Sequence, residues 1–242
     1  TIGSIAYLSK NLDYLKNNVI GGYNLSCIGD DRQHSCVFSK YQNSPSDIAM
    51  IEAYKKLKIN NYKIYSFLKR GSDERQYNSP GIDLKISSIF RTKYGEYPEY
   101  HTSLDNLDFI SESSLLLVFS LYIKIIDALE QINDLSITDN KSEIISKKTN
   151  FPIFKSLNPN CEPMLSKRNL YPTLGGSLKQ IESKNKSFDE EKIDLDLLLN
   201  ILFYSDGKTS IEYIALKSGI SENDIFIYSK HLVKLKLLQE ND

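Results

Sequence analysis

The order of helix-like and strand-like segments in the first 132 residues constrains the fold most. Helical spacing of apolar residues or helix-capping signals predict helices at residues 1–16, 44–58 and 111–132. Short apolar or alternating runs predict strands at residues 19–28, 62–68 and 84–91. Strands and helices that alternate at this spacing favour an α/β fold, in which a mixed or mainly parallel sheet is flanked by helices.

The longest apolar run, residues 115–129, is interrupted by Lys124 and Asp127. Charges in this position favour a helix that covers the sheet over a membrane span. The beginning of the sequence has no basic segment followed by an apolar one, so no secretory signal is visible.

A change of composition divides the rest of the chain. Residues 134–190 are rich in Ser, Lys, Asn and Pro, and we expect an irregular connecting segment there with at most short ordered pieces. Three further helices are predicted at residues 195–204, 210–217 and 224–238, with a glycine-containing turn and an N-cap at Ser221 before the last. The predicted domains are therefore an α/β domain at 1–133, the connector at 134–190 and a winged-helix domain at 191–242.

Charge and cysteine content bear on partners and compartment. The 30 basic and 31 acidic residues give a net charge of -1, which does not draw the whole molecule to nucleic acid or to an anionic membrane. The three cysteines, Cys27, Cys36 and Cys161, form no disulfide pattern. We therefore expect a reducing, cytoplasmic location.

Most candidate functional residues lie between residues 67 and 109, where charged and aromatic side chains share segments with turn residues. Function often resides on such loops. Asp73, Glu74 and Arg75 form either a substrate-binding group or an ion-pair cluster that stabilises the loop. Arginine can hold a substrate carboxylate through two hydrogen bonds, so Arg70 and Arg91 are candidate clamps, with a purely structural role as the alternative. Tyr94, Tyr97 and Tyr100 are candidate pocket walls, or pack the loop onto the sheet, and Tyr77 is a further candidate substrate-binding residue.

Two more residues are candidates, and two histidines are not. His101 is a candidate ligand, although a loop histidine is more often a hydrogen-bonded surface group. Asp30 follows a predicted strand and is either a ligand or part of a turn. His34 and His231 have no partner pattern and are expected to be structural.

Several linked motifs resemble one bacterial family. They are Gly-Ser-Asp-Glu-Arg-Gln-Tyr at 71–77, Ser-Pro-Gly at 79–81, Arg-Thr-Lys-Tyr-Gly at 91–95, Tyr-Pro-Glu-Tyr-His-Thr-Ser-Leu-Asp at 97–105, Glu-Pro-Met-Leu at 162–165 and Leu-Tyr-Pro at 170–172. Together they resemble aminopeptidase-like proteins that join a zinc-exopeptidase fold to a carboxy-terminal winged helix, with zinc aminopeptidases and glutaminyl cyclases as relatives. The resemblance covers essentially the whole chain.

The resemblance implies a zinc site and a peptide or amide substrate. His101 matches the last histidine ligand of the family, and Asp105 is placed to orient it. Asp73 matches an acidic residue on the substrate side, Glu74 stands where the family usually has histidine, and both are candidate catalytic residues. Asp30 matches an acidic ligand within a few residues, with Ser26 as the alternative match, which would leave a site for a single zinc ion.

The family's other metal ligands and its general-base glutamate have no counterpart among these motifs. Since catalytic zinc takes three protein ligands and a water, we expect no peptide hydrolysis by this chain alone. The sequence opens at Thr1 without Met, so we expect the carboxy-terminal part of a longer protein, with an upstream half or a second copy as partner. The alternative is a non-catalytic module that uses the winged helix to contact protein or nucleic acid, although acidic residues in that domain make nucleic acid the less favoured partner.

Overall fold

A computed structural model describes residues 2–132, 150–168, 170 and 194–241. The chain divides into two compact units, residues 1–140 and 141–242. Most of the connector predicted at 134–190 lies outside the described residues. Its described part includes a strand, Ile153–Ser156, that belongs to the second unit.

The first unit is a mixed sheet flanked by helices, as the sequence predicts. The elements in chain order are α1 (Ile2–Asn18), β1 (Gly22–Leu25), β2 (His34–Val37), α2 (Pro45–Lys56), β3 (Tyr62–Tyr65), the one-turn α3 (Glu74–Tyr77), β4 (Ile86–Phe90) and α4 (Glu112–Gln131). The order of the four strands in the sheet is β1-β4-β2-β3. Strand β1 is parallel to β4 and β2 is parallel to β3, whereas β2 and β4 are antiparallel.

Helix α2 begins where the sequence predicts and is fastened to the sheet at that point. Ser44 caps the helix, Pro45 follows it, and the Asp47 side chain completes a capping box. The buried Asp47 carboxylate also accepts a hydrogen bond of 2.7 Å from the Ser87 hydroxyl on β4. The first turn of α2 is thereby bonded to the central strands.

Helix α4 packs beside α2 over one face of the sheet. Its inward side chains enter the core of the first unit with residues of α2, β2 and β4, among them Val118, Leu121, Ile125, Met50, Tyr54, Cys36 and Ile89. No helix in the described ranges has both the length and the apolar character that crossing a membrane requires.

The strand predicted at 62–68 ends at Tyr65, and a 3-10 helix follows at Phe67–Lys69. Two further strands differ from the sequence prediction. The strand expected at 19–28 is confined to Gly22–Leu25, because Cys27 adopts a left-handed φ of 49°, which does not continue a strand. Strand β2 is not predicted at all, although all four of its residues are buried. Its sequence, His-Ser-Cys-Val, has neither polar alternation nor an apolar run, so the period-2 signal is absent.

The second unit combines three helices with a two-stranded antiparallel wing. These elements are β5 (Ile153–Ser156), α5 (Leu195–Tyr204), α6 (Ile211–Ser218), α7 (Glu222–Lys234) and β6 (Leu238–Asn241). Gly219 ends α6 with a left-handed φ of 70°, and Ser221 caps α7, as predicted. The last helix is shorter than the predicted 224–238, since the chain leaves it at Lys234 and enters β6, which pairs with β5.

His34 is a buried histidine in the sheet core. It is 4% exposed, and neither ring nitrogen has a hydrogen-bond partner among the described residues. Its ring meets Tyr54 edge-on, with centroids 5.9 Å apart. Burial and then the positive charge of Arg91 lower the pKa of His34 to about 4, against the opposing effect of the Asp30 charge.

Because its folded-state pKa is depressed, His34 should make stability depend on pH. Below the unfolded value near 6.5 the unfolded chain takes up a proton that the folded chain refuses, so stability is lost as pH falls from about 6.5 towards 4. We expect this group to cost about 2 kcal/mol at pH 5 relative to pH 7.5. Urea unfolding of the chain and of a His34→Phe variant, which keeps the aromatic contact, measures it. Parallel pH profiles of the two proteins would contradict the assignment.

Candidate functional site

The predicted site residues gather where two parallel strands end. Strands β1 and β4 run side by side, so the segments that leave them emerge at the same edge of the sheet. Cys27 and Asp30 follow β1, and Arg91 with residues 94–105 follows β4. The short helix α3, which carries Glu74, contacts β4 from the sheet face opposite α2 and α4.

Glu74 is the most completely bonded carboxylate of this region. It is 0% exposed. One oxygen accepts hydrogen bonds from the Gly71 amide at 2.7 Å, the Ser72 amide at 2.9 Å and the Tyr94 hydroxyl at 2.7 Å. The other accepts from Asn24 Nδ2 at 3.0 Å and from the Ser88 hydroxyl at 3.2 Å. A buried carboxylate with donors on both oxygens is stabilised without a paired cation.

Four of these bonds join three parts of the chain. Gly71 and Ser72 belong to the loop before α3, Asn24 lies on β1, and Ser88 lies opposite Asn24 on β4 in the parallel register. Glu74 therefore fixes the loop at residues 70–77 to the sheet. The catalytic role predicted for Glu74 stays a prediction.

Tyr94 links this anchor to the second candidate loop. Burial, followed by the charge of Glu74, raises the pKa of the Tyr94 hydroxyl, which therefore remains a donor at neutral pH. Its ring lies so close to Gly71 that a Cβ there would stand 2.6 Å from Tyr94 Cε2. Any side chain at position 71 would displace the ring, so the close approach requires glycine.

An aromatic cluster extends from Tyr94 to His101. Tyr94 packs edge-on against Phe90 at 5.2 Å, and Tyr100 lies 6.3 Å from Tyr94. The Tyr100 ring stacks on the His101 ring with centroids 3.9 Å apart. His101 itself is exposed and has a left-handed φ of 59°. The cluster thus begins in the core and ends at an imidazole on the surface.

Tyr97 is the buried member of the same loop. It stacks on Phe109 at 5.4 Å and meets Tyr100 edge-on at 5.6 Å. Burial, and then a hydrogen bond with the Cys27 thiol, raises its pKa. Arg32 adds a charge at this point, because its guanidinium lies 4.9 Å from the Phe109 ring centre and bonds Glu99 at 2.9 Å. The loop at residues 97–105 is held by rings and by one ion pair.

Asp30 and Arg91 form a separate bonded group. The Asp30 carboxylate is buried and accepts hydrogen bonds from the Arg32 amide at 3.0 Å and from the Thr92 amide and hydroxyl at 2.9 and 2.7 Å. The buried Arg91 guanidinium donates through Nε to the Asp30 carbonyl at 2.9 Å. These bonds tie the segment after β1 to the segment after β4.

The remaining predicted residues lie around α3. Arg70 stacks its guanidinium 4.8 Å from the Phe67 ring centre, and Arg75 Nε donates to the Ser72 carbonyl at 3.2 Å. Asp73 stands at the N-cap of α3 and Tyr77 ends it, both half-buried. The substrate-binding roles predicted for these side chains and for Arg91, Tyr97 and Tyr100 stay predictions.

The described residues do not fit a zinc site by themselves. Nowhere in the described ranges do three or more His, Cys, Asp or Glu side chains stand together as a metal-binding group. Both carboxylate oxygens of Asp30 accept hydrogen bonds from Thr92 or Arg32. The His101 ring is exposed and stacks on Tyr100. Since a catalytic zinc takes three protein ligands, no reaction step through zinc can be built from these residues.

Sequence reasoning missed the strand residues that hold Glu74. Asn24 and Ser88 are polar side chains on strands that the sequence does predict. A polar residue on a buried strand needs a partner, and that is the signal available in the sequence. Their common partner could not be identified there, because Glu74 is 50 residues from Asn24 and 14 from Ser88.

The hydrogen bonds to Glu74 predict how its substitution changes the free energy of unfolding. Glu74→Ala leaves five donors without an acceptor and should lower the free energy of unfolding by about 3 to 5 kcal/mol. Glu74→Gln keeps one oxygen for Gly71, Ser72 and Tyr94, while its amide can donate to Ser88 and to a reoriented Asn24, so we expect a loss of only about 1 to 2 kcal/mol. Chemical denaturation measures both. Glu130→Ala, at an exposed carboxylate on α4, is the control, and equal small losses for Ala and Gln at 74 would contradict the anchor.

Each of the two units matches the sequence profile of a known domain family. The sequence profile of a domain of unknown function, DUF4910, matches residues 1–132, and a winged helix-turn-helix profile matches residues 152–240. A Clostridium acetobutylicum protein with the provisional name polysaccharide biosynthesis protein with aminopeptidase-like domain is 33% identical over 239 residues, which are 99% of this chain and 48% of that protein. The chain thus spans about half the length of the curated relative it matches.

Two solved structures are similar to parts or most of this chain. A crystal structure provisionally described as a peptidase from Clostridium acetobutylicum is 30% identical, with a TM-score of 0.50 over 99% of this chain and 46% of that one. The aminopeptidase of Aneurinibacillus sp. strain AM-1 is more distant, at 20% identity and a TM-score of 0.42 over 52% of this chain and 29% of its own. With its first 132 residues matched by the defining profile and a winged helix-turn-helix after them, the chain belongs to the DUF4910 family.

Proposed function

We propose that this chain is part of an aminopeptidase-like hydrolase that acts on a peptide or another amide bond. The observation that carries the proposal is the match of 99% of the chain, at 30% identity, to the Clostridium structure described provisionally as a peptidase. That match runs through both loops that the structure fixes at one sheet edge, residues 70–77 and 94–105. The compartment we propose is the reducing cytoplasm, since Cys27, Cys36 and Cys161 are free thiols.

In this proposal the two loops form the substrate side of the site. The Glu74 anchor holds the first loop, and the aromatic cluster holds the second, so neither has to be ordered when substrate binds. Tyr100 and His101 present the reachable rings, because Tyr97 is buried against Phe109. The residues of this chain would therefore orient a substrate, rather than carry out the whole of its hydrolysis.

The proposed zinc site requires ligands besides those predicted in this chain. In the family that the motifs resemble, zinc polarises the bond under attack and activates water. His101 is the one predicted ligand at an exposed position here, and Asp30 is committed to loop bonds. We propose that the further ligands belong to the portion of the longer relatives that this chain does not span.

Metal content and turnover test the proposal together. The chain alone should retain less than about 0.1 zinc per molecule after dialysis and should not release p-nitroaniline from aminoacyl-p-nitroanilides. Co-expressed with the half of the Clostridium acetobutylicum relative that it does not match, it should gain zinc and turnover. Both gains should be lost in His101→Ala and kept in Asp108→Ala, an exposed loop control. Chelator-sensitive turnover by the chain alone, or zinc and turnover unaffected by His101→Ala, would contradict the proposed site.

The charges of the winged helix favour a role in packing over DNA reading. The described residues 194–241 contain 7 acidic and 5 basic side chains. The helix α7, which follows the turn of the helix-turn-helix, begins with Glu222 and Asp224. Lys230 on the same helix is ion-paired with Glu240. A helix that reads DNA needs a basic face towards the phosphates, and this one has acidic residues at its leading end.

We therefore expect no specific binding of DNA. Fluorescence anisotropy with a labelled 20-base-pair duplex should show no saturable binding below about 10 μM protein at 50 mM salt. A Glu222→Lys/Asp224→Lys variant is the comparison, since reversing these charges should produce weak, salt-sensitive binding if the fold alone were sufficient. Tight binding by the unmodified chain that falls steeply with salt would favour the regulatory alternative instead.

A further inference from the structure

Helix α4 carries large apolar side chains on the side that faces away from the sheet. Leu116 is 57% exposed, Phe119 61%, Ile123 41% and Ile126 38%, with Leu115 beside them at 39%. We call these five residues the outer face of α4. Clusters of exposed large apolar side chains are uncommon on a finished protein surface and mark interaction sites.

The spacing of the outer face suits a second helix. Leu116, Phe119, Ile123 and Ile126 recur at intervals of three, four and three residues, which is the seam by which one helix packs against another. The opposite side of α4 follows the same rule, with Val118, Leu121, Ile125 and Ala128 in the core. Helix α4 is therefore built like a helix with apolar neighbours on two sides, and the described residues supply the neighbours on one.

Polar residues bound the outer face along one side of the helix. Ser113, Ser120, Lys124 and Asp127 follow one another along the adjoining strip of α4, and Lys124 is ion-paired with Asp127 at 3.0 Å. A broad apolar surface would suit a membrane or a sheet, whereas a strip with a polar border matches the width of one helix. The chemistry of the occupant is thus that of an amphipathic helix.

The relatives indicate where such a helix comes from. The Clostridium acetobutylicum relative contains a 239-residue match to this chain within a polypeptide about twice as long. A counterpart of α4 in that protein has a further half available to cover it. The sheet agrees, because β1 is an edge strand that pairs only with β4 among the described strands, and its Leu25 is 39% exposed. If a second copy of this chain covered the helix, the additional half of the relative would have no part in covering it.

We propose that the outer face of α4 is the docking surface for an amphipathic helix from the half of the longer family members that this chain does not span. The apolar side of that helix packs between Leu116 and Ile126, and its polar side lies beyond the strip that contains Ser120. The docking surface does not depend on the proposed hydrolase function, because helix docking requires only that the outer face of α4 is buried.

Cysteine labelling on two neighbouring positions tests the surface. Phe119→Cys places a thiol in the outer face, and Ser120→Cys places one on the polar strip, about 100° around the helix. Each variant is prepared alone and co-expressed with the unmatched half of the Clostridium relative, and maleimide labelling of the α4 peptide is followed by mass spectrometry. We expect both thiols to react readily in the chain alone. The partner should slow labelling at 119 about tenfold or more and labelling at 120 by less than about threefold.

Three results would overturn the proposal. Slow labelling at 119 in the chain alone, independent of concentration, means that this chain covers the face itself. Slow labelling that appears only at high concentration means that a second copy covers it. Fast labelling at 119 in a purified complex of the two halves means that they associate elsewhere.

If the two polypeptides do not associate, the intact Clostridium acetobutylicum protein decides the matter. The same cysteines are introduced at the positions aligned with Phe119 and Ser120. A protected thiol at the first position and a reactive one at the second supports the docking surface, and a reactive thiol at the first overturns it.

Discussion

The buried carboxylate of Glu74 holds the first unit together at the edge where function is expected. Its donors come from β1, from β4, from the loop before α3 and from Tyr94 in the loop beyond β4. An ionised group inside a protein is tolerated only when such donors surround it, so the carboxylate and its partners depend on each other. The position of α3, the close packing of Gly71 against Tyr94 and the start of the aromatic cluster all follow from this one group.

Sequence patterns predicted the helices well and the strands only in part. The serine caps at Ser44 and Ser221 and the apolar spacing of α4 are local signals, and the structure has helices that begin at these places. Strand β2 escaped prediction because His34 and Ser35 are polar in sequence yet buried in the sheet, and burial depends on the neighbouring strands. The end of the last helix was placed too late because β6 is formed by pairing with β5, far away in the sequence.

The candidate site, like the fold, was predictable from the sequence only in part. The residues with unusual chemistry were singled out from the sequence, but their relationships could not be. By resemblance Asp30 is a candidate ligand and Glu74 a candidate catalytic residue, and both roles stay predictions. The structure shows each carboxylate accepting hydrogen bonds that join separate segments. Such networks arise from three-dimensional proximity, so a one-dimensional pattern does not reveal them. His101 is exposed at the end of the aromatic cluster. It is the predicted ligand that is accessible to a metal ion whose other ligands lie outside the described residues.

The candidate site lies at a hydrogen-bonded edge of the sheet, the described residues hold fewer metal ligands than a catalytic zinc takes, and one apolar helix face has no described neighbour. Each of these features is explained if the site is completed by the half of the longer relatives that the chain does not span. Native mass spectrometry of this chain co-expressed with that half tests the claim most directly, because one spectrum reports both association and bound metal. We expect a one-to-one complex that carries zinc, beside free chain that carries none. Zinc on the free chain, or a complex without zinc, would contradict it.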